Sequence, residues 1–217
     1  LSEIAVSVPG STSLLREYDL DFCCGGSDTL ANAAAEKGLN LAEIETRLTE
    51  LQNSKAENPE EYWVNATYPE IIDHILVRYH QRHREQLQEL IVLADRVESV
   101  HGDREDCPIG VAAELRNVYE DLSNHMMKEE HVLFPMIKAG NYMMAQMPIR
   151  MMEMEHAEHG EHLDVLKSLT NNMTPPADAC NTWRALYSGI QEFADDLMMH
   201  IHRENNILFP RVIAENH

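Results

Sequence analysis

Two stretches of this chain pair a histidine with a glutamate at the same spacing and in the same frame. His125-Met-Met-Lys-Glu129-Glu-His-Val-Leu-Phe134-Pro135 is echoed by His200-Ile-His-Arg-Glu204-Asn-Asn-Ile-Leu-Phe209-Pro210. In each, Glu follows His by four residues, Phe by nine and Pro by ten. Residues four apart on a helix lie one turn above each other on the same side. Leu122, Val132 and Met136 extend an apolar stripe through the first pair, and Phe193, Leu197 and Leu208 through the second. That side is expected to be buried. An ionised glutamate inside an apolar stripe is costly unless a cation meets it. Two such pairs in register predict a shared cation.

The preceding segments repeat as well. His80-Gln-Arg-His83 with Leu87 matches His156-Ala-Glu-His159 with Leu163. The unit is therefore a helix hairpin used twice, and internal repetition outweighs any single motif. Two hairpins predict an antiparallel four-helix bundle, whose facing side chains are where metal centres are built. A lone core histidine reads as an ordinary hydrogen-bonded residue; the repeated His–Glu pairs read as ligands. Spacing of three leaves both members of each upstream pair near the core face. Periodicity does not choose between His80 and His83, or between His156 and His159.

Four imidazoles and two carboxylates without a thiolate suit iron, manganese or zinc, and exclude a zinc finger or an iron–sulfur site. Carboxylates from opposing helices can each bridge two metals, with two imidazoles per ion. The ions stay under-coordinated, open to water, an oxo bridge or a diatomic molecule, which points to non-haem di-iron. The ferritin-like alternative, Glu-x-x-His from two helices, is met once, at Glu153-Met-Glu-His156, and not repeated.

The elements that must carry these residues are helical, because no segment alternates with period two. The expected fold is all-α. Residues 1–52 read as a small helical domain, 53–66 as a polar linker holding Asn58-Pro59-Glu60, and 67–217 as the bundle. In the small domain, Cys23-Cys24-Gly25-Gly26 breaks one segment, and Ser27 or Asp28 can cap the next, through Ala31 to Lys37. Long helices are expected at roughly 69–100, 109–139, 146–171 and 177–213. Pro135 and Pro210 fall late in their helices and should kink or end the regular hydrogen bonding there. With 217 residues the chain can bury a sizeable core. A net charge of −20 argues against binding nucleic acid or an anionic membrane. No run approaches a membrane span, no signal peptide opens the sequence, and four cysteines, two of them adjacent, do not form a secreted disulfide framework. A cytoplasmic protein is expected.

These residues resemble the iron–sulfur cluster repair di-iron proteins, the RIC or YtfE-like family with a haemerythrin-like domain. The resemblance covers nearly the whole chain. It runs through Tyr18-Asp-Leu-Asp-Phe-Cys23-Cys24-Gly25-Gly26 and Ile71-Ile-Asp-His-Ile-Leu-Val-Arg-Tyr-His80. It continues with His125-Met-Met-Lys-Glu129-Glu, Glu155-His156, and His200 with Glu204 before Asn205-Asn206. It implies a haemerythrin-like four-helix bundle. His80, His125, His156 and His200 would be the terminal ligands, and Glu129 and Glu204 the bridges, of two non-haem iron ions joined by oxo and carboxylate bridges. His83 and His159 would then be neighbours of the ligands or surface residues. It further implies repair of clusters damaged by nitric oxide or peroxide, with damaged iron–sulfur proteins as iron acceptors and Cys23 or Cys24 as a relay.

Asp121 and Asp196 each precede a ligand histidine by four residues and are candidates to orient it or to line an access path. Glu155, beside His156, is a candidate guide for ions or protons. Cys23-Cys24 admits two readings, a labile pair of thiols for iron or nitric oxide, or packing. Cys107 and Cys180 carry no motif. Met126, Met127, Met143, Met144, Met151, Met152, Met198 and Met199 read as core filler and helix formers rather than copper ligands. Two other functions fit the same centre. One is an enzyme reducing nitric oxide or peroxide; the other is a module binding oxygen or nitric oxide. A homodimer is left open.

Overall fold

The computed structural model describes residues 1–54 and 58–215. Its elements, in order, are α1 (Ser2–Ser7), α2 (Ser11–Glu17), α3 (Leu30–Glu36), α4 (Leu41–Asn53), α5 (Pro59–Asn65), α6 (Tyr68–Ile75), a π-helical turn (Leu76–His80), α7 (Gln81–His101) and α8 (Val111–Lys128). A second π turn (Glu129–Leu133), α9 (Phe134–Lys138), α10 (Tyr142–Leu169), α11 (Asn181–Arg203), a third π turn (Glu204–Leu208) and α12 (Phe209–Ala214) complete it. No strand occurs among the described residues, and none of their helices is long and apolar enough to cross a membrane. The chain divides into two compact units, Leu1–Ile72 with Met198–His217, and Asp73–Leu197.

Helix starts follow from local chemistry. The side chain of Thr29, rather than Ser27 or Asp28, accepts from the Asn32 N–H and caps α3, while Asn40 caps α4. Within the stretch read as a linker, residues 55–57 lie outside the described residues. Asn58 caps α5 there, with Pro59 at its first position and Glu60 and Glu61 in its first turn. Thr67 and Glu70 bond reciprocally at the start of α6, the Thr67 N–H donating to the Glu70 carboxylate and the Glu70 N–H to the Thr67 hydroxyl.

In the unit Asp73–Leu197, long-range polar pairs fix the helix directions. Glu98 accepts from the Ala112 N–H, Asp95 holds Arg116, and Gln88 meets Tyr119, so α7 and α8 run antiparallel. Glu114 meets His162 and Lys128 meets Glu155, setting α8 against α10 in the same way. Arg82 pairs with Glu192 and His101 lies against Trp183, so α11 opposes α7. The helices bury Leu87, Leu90, Val97, Leu115, Val118, Leu122, Ile149, Leu163, Leu186 and Phe193. The other unit has its own core of Leu15, Leu20, Phe22, Ile44, Ile71, Ile207, Leu208 and Phe209.

The π turns correct one expectation and show the form another takes, since the regular α-helical hydrogen bonding is interrupted just before each of Pro135 and Pro210. Pro135 and Pro210 do not end their helices, which continue through Lys138 and Ala214. A proline offers no N–H to the preceding turn. In each repeat that preceding turn, beginning at Glu129 or Glu204, is widened instead. The widening adds about one residue to the turn, so the inward register slips. Leu133 and Phe134 are buried in the first repeat, whereas Val132 is 44% exposed. The methionines divide too. Met126 and Met152 fill the core, but Met127, Met143, Met144 and Met151 are exposed.

Candidate metal centre

In the unit Asp73–Leu197, four of the sequence-predicted ligands come together. His80 ends the first π turn, Glu129 begins the second, His125 sits one turn before Glu129 near the end of α8, and His156 lies mid-way along α10. All four are buried. The Nε2 atoms of His80 and His125 approach the same Glu129 oxygen, Oε2, at 3.3 and 3.4 Å. His156 Nε2 lies 3.1 Å from His125 Nε2. One donor atom each of His125, Glu129 and His156 falls within 4.8 Å of the others.

The far sides of two rings fix their tautomers. His80 Nδ1 lies 2.8 Å from Glu130 Oε1, and His125 Nδ1 lies 2.9 Å from Glu155 Oε2. The hydrogen bond from His80 holds the Glu130 carboxyl down to about 2 despite partial burial, with Arg84 assisting. The bond from His125 does the same for Glu155, with Lys128 behind it, again to about 2. Ionised carboxylates only accept, so each Nδ1 carries the proton and each Nε2 in a neutral ring presents a lone pair. Those lone pairs point at a carboxylate oxygen. Among the described residues, neither oxygen of Glu129 accepts a hydrogen bond. Lone pairs converging in a buried space repel one another, and a bound cation turns the repulsion into coordination. A nitrogen-and-oxygen donor set of this kind fits iron.

In the other unit, His200 Nε2 and Glu204 Oε1 lie 3.2 Å apart, both buried, across the junction of α11 and the third π turn. The next residues are clamped. Arg203 pairs with the buried Glu60 and stacks over Trp63, and His202 lies 3.5 Å from Glu60. Burial opposes ionisation of Glu60, but His202 and Arg203 overcome it and keep the carboxyl below its usual range.

The remaining candidates are distributed. Glu155 is placed on a ligand imidazole. Asp121 is exposed and meets His162 Nε2 at 3.1 Å, while Asp196 takes Arg78 and the Gln86 amide. His83 and His159 are buried, not on the surface: His83 stacks near Tyr79 and Phe193, and His159 packs edge-on against His125. Cys107 is buried, and Cys180 lies 3.3 Å from His101. Neither Cys23 nor Cys24 is in a disulfide. Sequence reasoning missed Glu130, whose signal was its place directly after Glu129. It also missed the His162 pairing, which links residues 48 and 41 apart in the chain.

Comparison with known proteins agrees with this chemistry. The profile of the hemerythrin HHE cation binding domain matches residues 71–212, and that of a domain of unknown function, DUF542, matches residues 1–52. A probable iron-sulfur cluster repair protein of Haemophilus influenzae is 68% identical over 99% of this chain and 96% of its own. The iron-sulfur cluster repair proteins YtfE of Musicola paradisiaca and Escherichia coli O81 are each 55% identical. They cover 98% and 99% of this chain and 95% and 96% of theirs.

Proposed function

The chain belongs to the hemerythrin HHE cation-binding family, and from that membership together with its 68% and 55% identity to iron-sulfur cluster repair proteins we propose that it is a di-iron protein repairing iron–sulfur clusters damaged by nitrosative or oxidative stress. His80, His125, His156, His200, Glu129 and Glu204 would hold the iron. Residues 67–217 hold the iron and residues 1–52 the thiols, a division that the two matched profiles support. The observation that supports the iron in this reading is the approach of two imidazole Nε2 atoms, at 3.3 and 3.4 Å, to one buried Glu129 oxygen. Bound iron would supply Lewis acidity and one-electron chemistry.

The chain's own residues do the rest. Glu130 and Glu155 retain the Nδ1 protons of His80 and His125, which fixes the rings and strengthens their donor atoms. Six side chains are too few to fill the coordination of two iron ions, so iron held there could be released as cargo to a damaged cluster protein. The acidic surface favours the approach of a cation, and Cys23 or Cys24 could take up released iron. The test is to load the protein with labelled iron, add an enzyme with a damaged cluster, and follow both the label and the recovered activity. Label should appear in the acceptor as activity returns. Activity returning with the label still on the donor would eliminate iron supply and favour reduction of nitric oxide or peroxide instead.

A further inference from the structure

A second cluster of donor atoms lies in the unit that begins at Leu1. Asp21, Cys23 and Cys24 each offer one, all within 4.8 Å of one another. The two sulfurs are 3.7 Å apart, and Cys23 Sγ is 3.2 Å from Asp21 Oδ1. Asp21 also organises the backbone. Its Oδ1 accepts from the N–H groups of Cys23 and Cys24, and its Oδ2 from that of Gly25. A carboxylate has about four lone-pair sites; three take backbone donors and the Cys23 thiol takes the fourth.

The turn is held from behind as well. Asn205 Nδ2 donates to the Cys23 carbonyl at 2.9 Å, and Asn206 Nδ2 to the Phe22 carbonyl at 2.8 Å. At Gly26 a β-carbon would sit 2.8 Å from the Phe22 carbonyl oxygen and 2.9 Å from Ser2 Cβ, so only glycine closes this turn. The sulfurs are therefore placed in advance by a fixed backbone. In the first repeat the residue after the shared glutamate is Glu130, which orients His80. In the second it is Asn205, which holds the thiol turn.

Tetrahedral zinc–thiolate bonds of about 2.3 Å put two sulfurs roughly 3.8 Å apart, and a sulfur and a carboxylate oxygen roughly 3.5 Å apart. The observed separations are 3.7 and 3.2 Å. We propose that Asp21, Cys23 and Cys24 form a second cation site, which takes a thiophilic divalent ion and leaves its fourth position open. Binding breaks two S–H bonds, forms two metal–sulfur bonds and one metal–oxygen bond, and releases two protons to solvent. The hydrogen bond with Cys24, burial and the Asp21 charge all push the Cys23 thiol up. The same electronegative surroundings favour a dication that displaces the proton. Asp21 is exposed and Cys24 half-buried, so an ion can reach the site from solvent.

This inference deepens the thiol half of the proposed function and rests on none of its iron half. The test is to titrate the reduced, iron-loaded, full-length protein with cobalt(II) and record thiolate-to-cobalt charge-transfer absorption. One equivalent should saturate the band. Cys23→Ser and Cys24→Ser should each abolish it, and Asp21→Asn, which keeps an oxygen for the turn, should weaken binding about 10-fold. Iron content, measured on the same samples, should not change. His125→Ala should lose iron yet keep the band, so failure of one reading is separable from failure of the other. Should a serine variant not fold, alkylation of the parent protein serves instead: one equivalent of cobalt(II) should protect both thiols. Absence of the band in the reduced parent, its survival in a folded serine variant, or unprotected thiols would overturn the proposal.

Discussion

At Glu129 a buried carboxylate oxygen lies 3.3 and 3.4 Å from the Nε2 atoms of His80 and His125, and among the described residues neither Glu129 oxygen accepts a hydrogen bond. Glu129→Gln keeps the shape, removes the charge and provides an N–H that can donate to Nε2. The metal-free variant should therefore be more stable than the metal-free parent, by about 1–3 kcal/mol in denaturant titrations. In the same variant most of the bound iron should be lost, as iron per chain will show. A purely structural Glu129 would give neither change. The choice between His80 and His83 belongs here too. Both are buried, so the apolar stripe that marks both as inward could not separate them. What separates them is ring direction: one Nε2 meets Glu129, whereas the other ring lies against Tyr79, Phe193 and Gln86.

Among the helices, the repeat was legible but its local irregularities were not. Phe193, Leu197 and Leu208 are buried as their periodicity requires, while Val132 is displaced outward by the π turn that starts at Glu129. The prolines that follow the second and third π turns mark them in sequence; the turn at Leu76–His80 has no such marker. Between α8 and α10, His162 is held by Glu114 at 2.6 Å and Asp121 at 3.1 Å. Burial opposes its protonation, but the two carboxylates prevail and raise it above the usual 6.5. A histidine raised on folding stabilises the fold below its unfolded value, and that contribution is lost as pH rises through the raised one. Thermal stability should thus decline slightly as pH climbs past about 6.5, by less than about 1 kcal/mol for a partly exposed cluster. His162→Gln should flatten that part of the pH profile, and a profile unchanged by the substitution would rule out a contribution from this cluster.

For the molecule as a whole, metal binding and folding are linked, because an unfolded chain has no preformed set of ligands. Stripping iron with a chelator should lower the melting temperature by roughly 5–10 °C, given about 2.7 kcal/mol at a hundredfold excess over the dissociation constant. Restoring ferrous iron should recover it, and indifference to iron would show that the imidazoles and carboxylates hold no structural ion. The sequence by itself determined the helical class, the twofold hairpin and the repeated His–Glu pairs, and left two histidines open on each upstream helix. Helical periodicity and internal repetition are written along the chain, one residue after another. Only the tertiary structure decided which imidazole nitrogen faces a carboxylate, which acidic neighbour orients it, and where a π turn shifts the register. It alone brought Asn205 to the Cys23 carbonyl, across 182 residues. Such contacts depend on how helices pack and rings rotate, and spacing along a single chain carries no record of either.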